Sequence, residues 1–269
     1  MKELIKRNPV YFSIVLTLII AILFGLADFF ISHQLSANLR ILIDSAIRAF
    51  FSIPVIILLG YVYSINGFKH AFSLNGFGKG MFASIAIFAY IIAITFNFIF
   101  MTKMNTANLS DIPYITVQQI TTGLIEQALF IGLLMSGMIL RFSFSILGRI
   151  SMVLVSGIVF GFAHIFDLFL SGNMQGFLLT LITASILGIA FAAIYLYSKN
   201  LLSCIFVYAL YGVAVNLSDN LIYGVSLDFI NKVQFFILYV VVPVFAIIIA
   251  LKAEPYKDRV MNEIRIYGV

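Results

Sequence analysis

The sequence predicts an all-α polytopic membrane protein, a bundle of about eight transmembrane helices with both termini in the cytoplasm. Three observations lead there. The 269 residues are 62% hydrophobic and only 10% charged, where soluble domains carry about 25% charged residues, and the mean hydropathy is +1.12. The apolar residues fall in runs of about 20, the length that crosses a bilayer as a helix. The positive charge lies mainly between those runs. A soluble enzyme of this composition would expose broad apolar surface to water, and disordered chains are poor in apolar residues. Spanning strands would be about 10 residues long with strict alternation, a pattern these uniformly apolar runs lack.

Eight runs qualify in chain order: 10–32, 41–64, 81–101, 117–140, 150–170, 177–197, 201–222 and 233–251. The first follows the basic flank Lys2, Lys6 and Arg7, and no small-residue cleavage site follows it, so it reads as a retained helix. The longest connection is 65–80 and the tail is 252–269. Residues 1–269 therefore read as a single integral membrane domain without repeats. With the N-terminus inside, the cytoplasmic side receives Lys2, Lys6, Arg7, Lys69, Lys79, Arg141, Arg149, Lys199, Lys252, Lys257, Arg259 and Arg265. The outside receives only Arg40, Lys103 and Lys232. This bias sets the orientation. Topology and anionic lipid account for the net charge of +5, so the bilayer is the expected partner and nucleic acid is not required. The expected location is a cell membrane, bacterial and multi-pass. A single cysteine, Cys204, excludes an internal disulfide framework and a cysteine-based metal cluster.

Ionisable side chains inside a span cost at least ~2.5–3.5 kcal/mol on insertion scales, so each needs a reason. They are Asp28, Asp44, Arg48, Glu126, His164, Asp167 and Asp219. Asp44 and Arg48 stand one helical turn apart with the acid first, the favourable order for an ion pair, and read as self-neutralising. Asp28 and Asp219 lie near the outer ends of their spans and read as structural. Glu126 lies midway along the fourth run, with Thr122 one turn and Gln119 two turns earlier on about the same face, and Gly123 opening that face to a close neighbour. It reads either as a protonated acid bonding between helices or as a general base. His164 lies in the fifth run with Asp167 three residues on to orient its ring. Glu126 and His164 each stand about 14 residues from the inner ends of consecutive helices, hence at similar depth, where the two can share a water. A catalytic zinc usually takes three protein ligands; with His33 and His70 in opposite loops, Glu126, His164 and at most Asp167 are left, so a metal site is disfavoured and no other cofactor is expected.

Together these residues resemble the CAAX protease and bacteriocin-processing (CPBP, or Abi) family of intramembrane peptidases. The resemblance covers roughly residues 117–218. It rests on Gly123-Leu124-Ile125-Glu126-Gln127-Ala128-Leu129-Phe130-Ile131, on Phe160-x-x-x-His164, and on the block from Asn200 to Gly212. It implies a metal-independent glutamate-type endopeptidase acting on a membrane-associated peptide substrate. Glu126 and His164 would activate water and Asp167 would orient His164. The motifs are degenerate. The family's Glu-Glu-x-x-x-Arg reads Glu126-Gln127-x-x-x-Ile131, and its His-x-x-x-Asn reads Tyr208-x-x-x-Gly212. Loss of one oxyanion donor typically slows such a reaction about 10²–10³-fold. Tyr208 still offers an O–H, and Asn216 follows on the same helix face. Counted from residue 201, Asn216 matches the depth of Glu126 and His164 better than Tyr208 does. The degeneracy equally fits a non-catalytic member, a scaffold, regulator or bacteriocin immunity protein binding another membrane protein. A transporter fits less well, since only Pro54 and Pro243 interrupt the spans.

Overall fold

The computed structural model describes residues 8–32, 37–63, 67–100, 111–142, 145–164, 173–221 and 228–254. Among these the regular structure is helical, with no strand. In chain order the helices are α1 (Pro9–Ser32), α2 (Ala37–Tyr63), α3 (Gly67–Ala71), α4 (Phe77–Ala83), α5 (Ile85–Phe100) and α6 (Ile112–Glu126). A π-helical stretch, Gln127–Leu134, leads from α6 into α7 (Met135–Phe142). Then come α8 (Ile146–Ala163), α9 (Met174–Ser198), α10 (Leu201–Leu221), α11 (Asp228–Phe236), a second π-helical stretch at Ile237–Val241, and α12 (Val242–Lys252).

Six helical segments are long and apolar enough to cross a bilayer: Leu39–Gly60, Ile112–Ile139, Ile146–Ala163, Met174–Ser198, Leu201–Ser218 and Phe229–Lys252. Helices α4 and α5 meet at a 60° bend and make a seventh if taken as one broken span, while α1 supplies the shorter apolar helix Val10–Leu26. Each of the eight apolar runs overlaps one of these helices. The bend has a local cause. Ser84 turns its hydroxyl back onto the Gly80 carbonyl at 2.7 Å and bonds its N–H to Met81, not to the carbonyl four residues back. This competition with the regular ladder deflects helices. Large apolar side chains such as Phe50, Ile57, Ile92, Ile158, Phe162, Ile182 and Phe236 point outward, as lipid-facing residues must.

The bundle centre is the stretch Gln127–Leu134, buried at every residue. Around it the helices approach through small residues. On α8 and α9, a Cβ added at Gly157 would lie 2.6 Å from the Ser185 carbonyl oxygen and 3.0 Å from the Ile189 nitrogen. Both are backbone atoms that cannot step aside, so only glycine permits this contact. On α6, the expected close approach at Gly123 is present. Its Cβ position lies 3.1 Å from the Ile205 carbonyl oxygen and 3.3 Å from the Ala209 nitrogen of α10.

The start of α10 is fastened by Asn200, which is fully buried. Its Oδ1 accepts from the Ser203 N–H at 2.7 Å, as an N-cap does. Its Nδ2 donates to the carbonyls of Ser73 (2.6 Å) and Asn75 (2.9 Å) in the turn before α4. Two tight backbone positions serve this junction, Gly76 at φ 83° and Lys199 at φ 55°. The pin fixes where along α10 each later residue stands, Tyr208 included.

Two outcomes follow. Asn200→Ala should destabilise the folded chain by about 1–3 kcal/mol, because it removes the cap and leaves two carbonyls without their donor. Gly157→Leu should cost at least as much, since α8 must move off α9. Denaturant unfolding in detergent micelles, followed by circular dichroism, measures both.

Candidate active site

Glu126 is the last residue of α6, and the chain enters the π-helical stretch at the next position. Insertions of this kind widen the helix and recur at functional sites. The carboxyl finds its partner on α10: the Tyr208 hydroxyl donates to Glu126 Oε2 at 2.6 Å. Tyr208 is buried and its ring is held edge-on by Phe191 (5.3 Å between centroids) and Phe160 (6.2 Å), with Tyr211 alongside at 6.2 Å. A phenol so confined can re-aim its O–H by turning about the C–O bond alone.

The helix pairing explains why Tyr208 meets Glu126. Gly123 lies against the Tyr208 turn of α10, and the Gln119 side chain packs on Gly212. Position numbers rise on one helix as they fall on the other, so α6 and α10 are antiparallel. Asn216 therefore stands two turns beyond Tyr208, about 12 Å along the axis. Its Nδ2 donates to its own helix, at the Gly212 carbonyl (2.9 Å). Depth counted from residue 201 favoured Asn216. The register brings Tyr208 level with the acid.

His164 also departs from expectation. The fifth apolar run extends to residue 170, but α8 ends at Ala163 and His164 is its C-cap, at φ −82° and ψ 10°. The ring is part of the ending: Nδ1 lies 3.0 Å from the Phe160 carbonyl oxygen, and the His164 N–H bonds to Gly161. Because a carbonyl only accepts, Nδ1 carries the proton, and in the neutral ring Nε2 keeps its lone pair. Phe160, four residues before His164, packs edge-on against Phe130, four residues after Glu126, at 5.0 Å between ring centroids. Asp167 lies outside the described residues, as do the side chains of Asp28 and Asp219.

A cavity of about 480 Å³ opens beside this group. His164, Phe160, Tyr208, Tyr211, Thr183, Leu187, Gln234, Leu238 and Tyr239 are among the residues that line it. Polar and apolar side chains alternate around it. Thr183 and Tyr239 share a hydrogen bond of 2.8 Å, and Gln234 donates to the Ala93 carbonyl at 3.1 Å. The second π-helical stretch carries both Leu238 and Tyr239, so each π insertion sits next to the site. Tyr208 belongs both to the cavity wall and to the contact with Glu126. Concave sites where apolar side chains and convergent polar groups meet are where ligands usually bind.

Gln119 packs on Gly212 of α10, the helix that carries Tyr208, while its neighbour Gln118 donates from Nε2 to Asp44 Oδ2 of α2 at 2.9 Å. Gln127 is fully buried with neither end of its amide hydrogen-bonded. The expected Asp44–Arg48 pair is formed, Nε lying 2.9 and 2.8 Å from the two carboxylate oxygens. Among the described residues, no three His, Cys, Asp or Glu side chains converge as a metal site would need.

No curated protein and no solved structure matches the chain. A family model does, over a segment that contains Glu126, His164, Asp167 and Tyr208 and stops short of Asn216. Residues 108–214 match the family described as type II CAAX prenyl endopeptidase Rce1-like, the CAAX-protease family that the sequence motifs resemble.

Proposed function

We propose that this protein is an intramembrane endopeptidase that hydrolyses a peptide bond of a membrane-associated substrate, with Glu126 and His164 activating the water. The observation that carries the reading is the 2.6 Å contact from Tyr208 to Glu126 at the wall of a cavity that His164 also lines. The match of residues 108–214 to a CAAX-type protease family supports it.

In this reading a substrate carbonyl enters the cavity beside Tyr208. The phenol turns its O–H from Glu126 Oε2 to the carbonyl oxygen and donates to the oxyanion as it forms. That movement frees the carboxylate to take a proton from water while the water oxygen attacks the carbonyl carbon. In the neutral ring that donates from Nδ1 to the Phe160 carbonyl, His164 Nε2 holds the water by accepting its other hydrogen. The proton taken by Glu126 passes to the departing amine as the C–N bond breaks. Asp167 is the candidate to orient His164. Tyr208 replaces one of the two oxyanion groups that the degenerate third motif lacks, and Asn216 has no part in this scheme.

The same contact favours a second reading. A phenol that permanently occupies Glu126 would make the pair a structural tie and the cavity a binding site for a membrane-protein or peptide partner. The roles then open are scaffold, regulator and bacteriocin immunity.

Purified protein in lipid nanodiscs, offered a library of membrane-anchored peptides and read by mass spectrometry, separates the two. The peptidase reading expects cleavage that Glu126→Gln and His164→Ala each abolish and that Tyr208→Phe slows about 10²–10³-fold. Cleavage unchanged in all three variants contradicts it. So does a wild-type protein that cuts nothing but captures a peptide equally well with Gln at position 126.

A further inference from the structure

Helices α2 and α6 lie side by side, joined by two hydrogen bonds. Gln118 Nε2 donates to Asp44 Oδ2 at 2.9 Å, and Arg48 Nη1 donates to Thr122 Oγ1 at 3.1 Å. Four residues along α2 thus match four residues along α6, so the helices run parallel, turn for turn. The same step carries Ser52 to the level of Glu126. Ser52 is fully buried and bonds its hydroxyl to the Arg48 carbonyl at 2.7 Å.

This register gives the ion pair a direction. Asp44 stands at the turn of Gln118, the Arg48 guanidinium at the turn of Thr122, and Glu126 on the turn after that. Arg48 offers its Nε edge to Asp44, which leaves Nη1 to reach α6. The guanidinium is also set over the Phe24 ring of α1, 5.2 Å from its centroid. With side chains only 14% and 9% exposed, Arg48 and Asp44 are poorly screened by water. The Glu126 carboxyl, held by Tyr208 through Oε2, stands one turn beyond Thr122, to which the positive end of the pair is bonded. Self-neutralisation within α2 requires none of the cross-helix bonds that aim it.

We infer that Arg48 is a positioning residue of this site, the counter-charge against which the Glu126 carboxylate is held, with Asp44 aiming it. The inference rests on the reading of Glu126 as the acting group. A structural ion pair and a directed one respond differently when both charges are removed together. The Asp44→Asn, Arg48→Gln double variant leaves no unpaired charge, and buried pairs commonly tolerate such replacement. If the pair is only structural, this variant works as wild type does. If Arg48 serves Glu126, kcat falls roughly tenfold or more with KM changed less than about twofold, and Arg48→Lys retains an intermediate rate.

A second readout needs no cleavage. A lipid-soluble carbodiimide attacks a protonated carboxyl and spares a carboxylate, so mass spectrometry of the labelled peptide reports on Glu126 directly, with Glu126→Gln as the blank. The double variant should label at position 126 roughly tenfold faster than wild type. Equal labelling of a folded double variant overturns the inference, even if peptides are cut. Faster labelling in a protein that cuts no peptide upholds the counter-charge and counts against the peptidase reading instead.

Discussion

A carboxyl group midway along a membrane helix must find its partner inside the protein, because lipid offers none. For Glu126 that partner is the Tyr208 hydroxyl, and much of the bundle is arranged around their meeting. Asn200 pins the start of α10 to the turn before α4. Gly123 lets α6 and α10 approach until backbone meets backbone. Phe160 and Phe191 hold the tyrosine ring. The π-helical stretch begins at the residue after the acid.

The same economy governs the other charges. Asp44 and Arg48 satisfy one another within α2 and then spend their remaining hydrogen-bonding capacity on Gln118 and Thr122 of α6. Two polar seams therefore run along α6, one shared with α2 and one with α10. The second ends in a cavity whose other walls are mainly aromatic and aliphatic. It touches the acid only through Tyr208, which lines the cavity and bonds to Glu126.

Much of this was legible in the sequence, and the reason is scarcity. With only 10% charged residues, an acid and a histidine within apolar runs identify themselves, and Gly123 announces a close helix contact. Positions that depend on helix ends and on register were not legible. Residues 165–170 continue the apolar run, so nothing in the composition marks the end of α8 at Ala163. The ending is a hydrogen-bonding event, visible only once His164 is seen on the Phe160 carbonyl. Depth counted from residue 201 favoured Asn216 over Tyr208, because linear counting cannot see how two helices slide past each other. The packing of Gln119 on Gly212 settles that register. Gln118 and Gln119 are neighbours differing by 100° around the helix, and only the location of α2 decides which one meets Asp44. The π insertions have no sequence signature that the apolar pattern could reveal.

The arrangement of the site therefore rests on one distance, from Tyr208 to Glu126. An experimental structure of the protein in a lipid nanodisc, at a resolution that places side-chain oxygens, measures it directly. The expected result is the Tyr208 hydroxyl on the Glu126 carboxyl at 2.6 Å, with His164 on the wall of the same cavity. A Tyr208 hydroxyl turned elsewhere, more than about 3.5 Å from that carboxyl, would contradict the account.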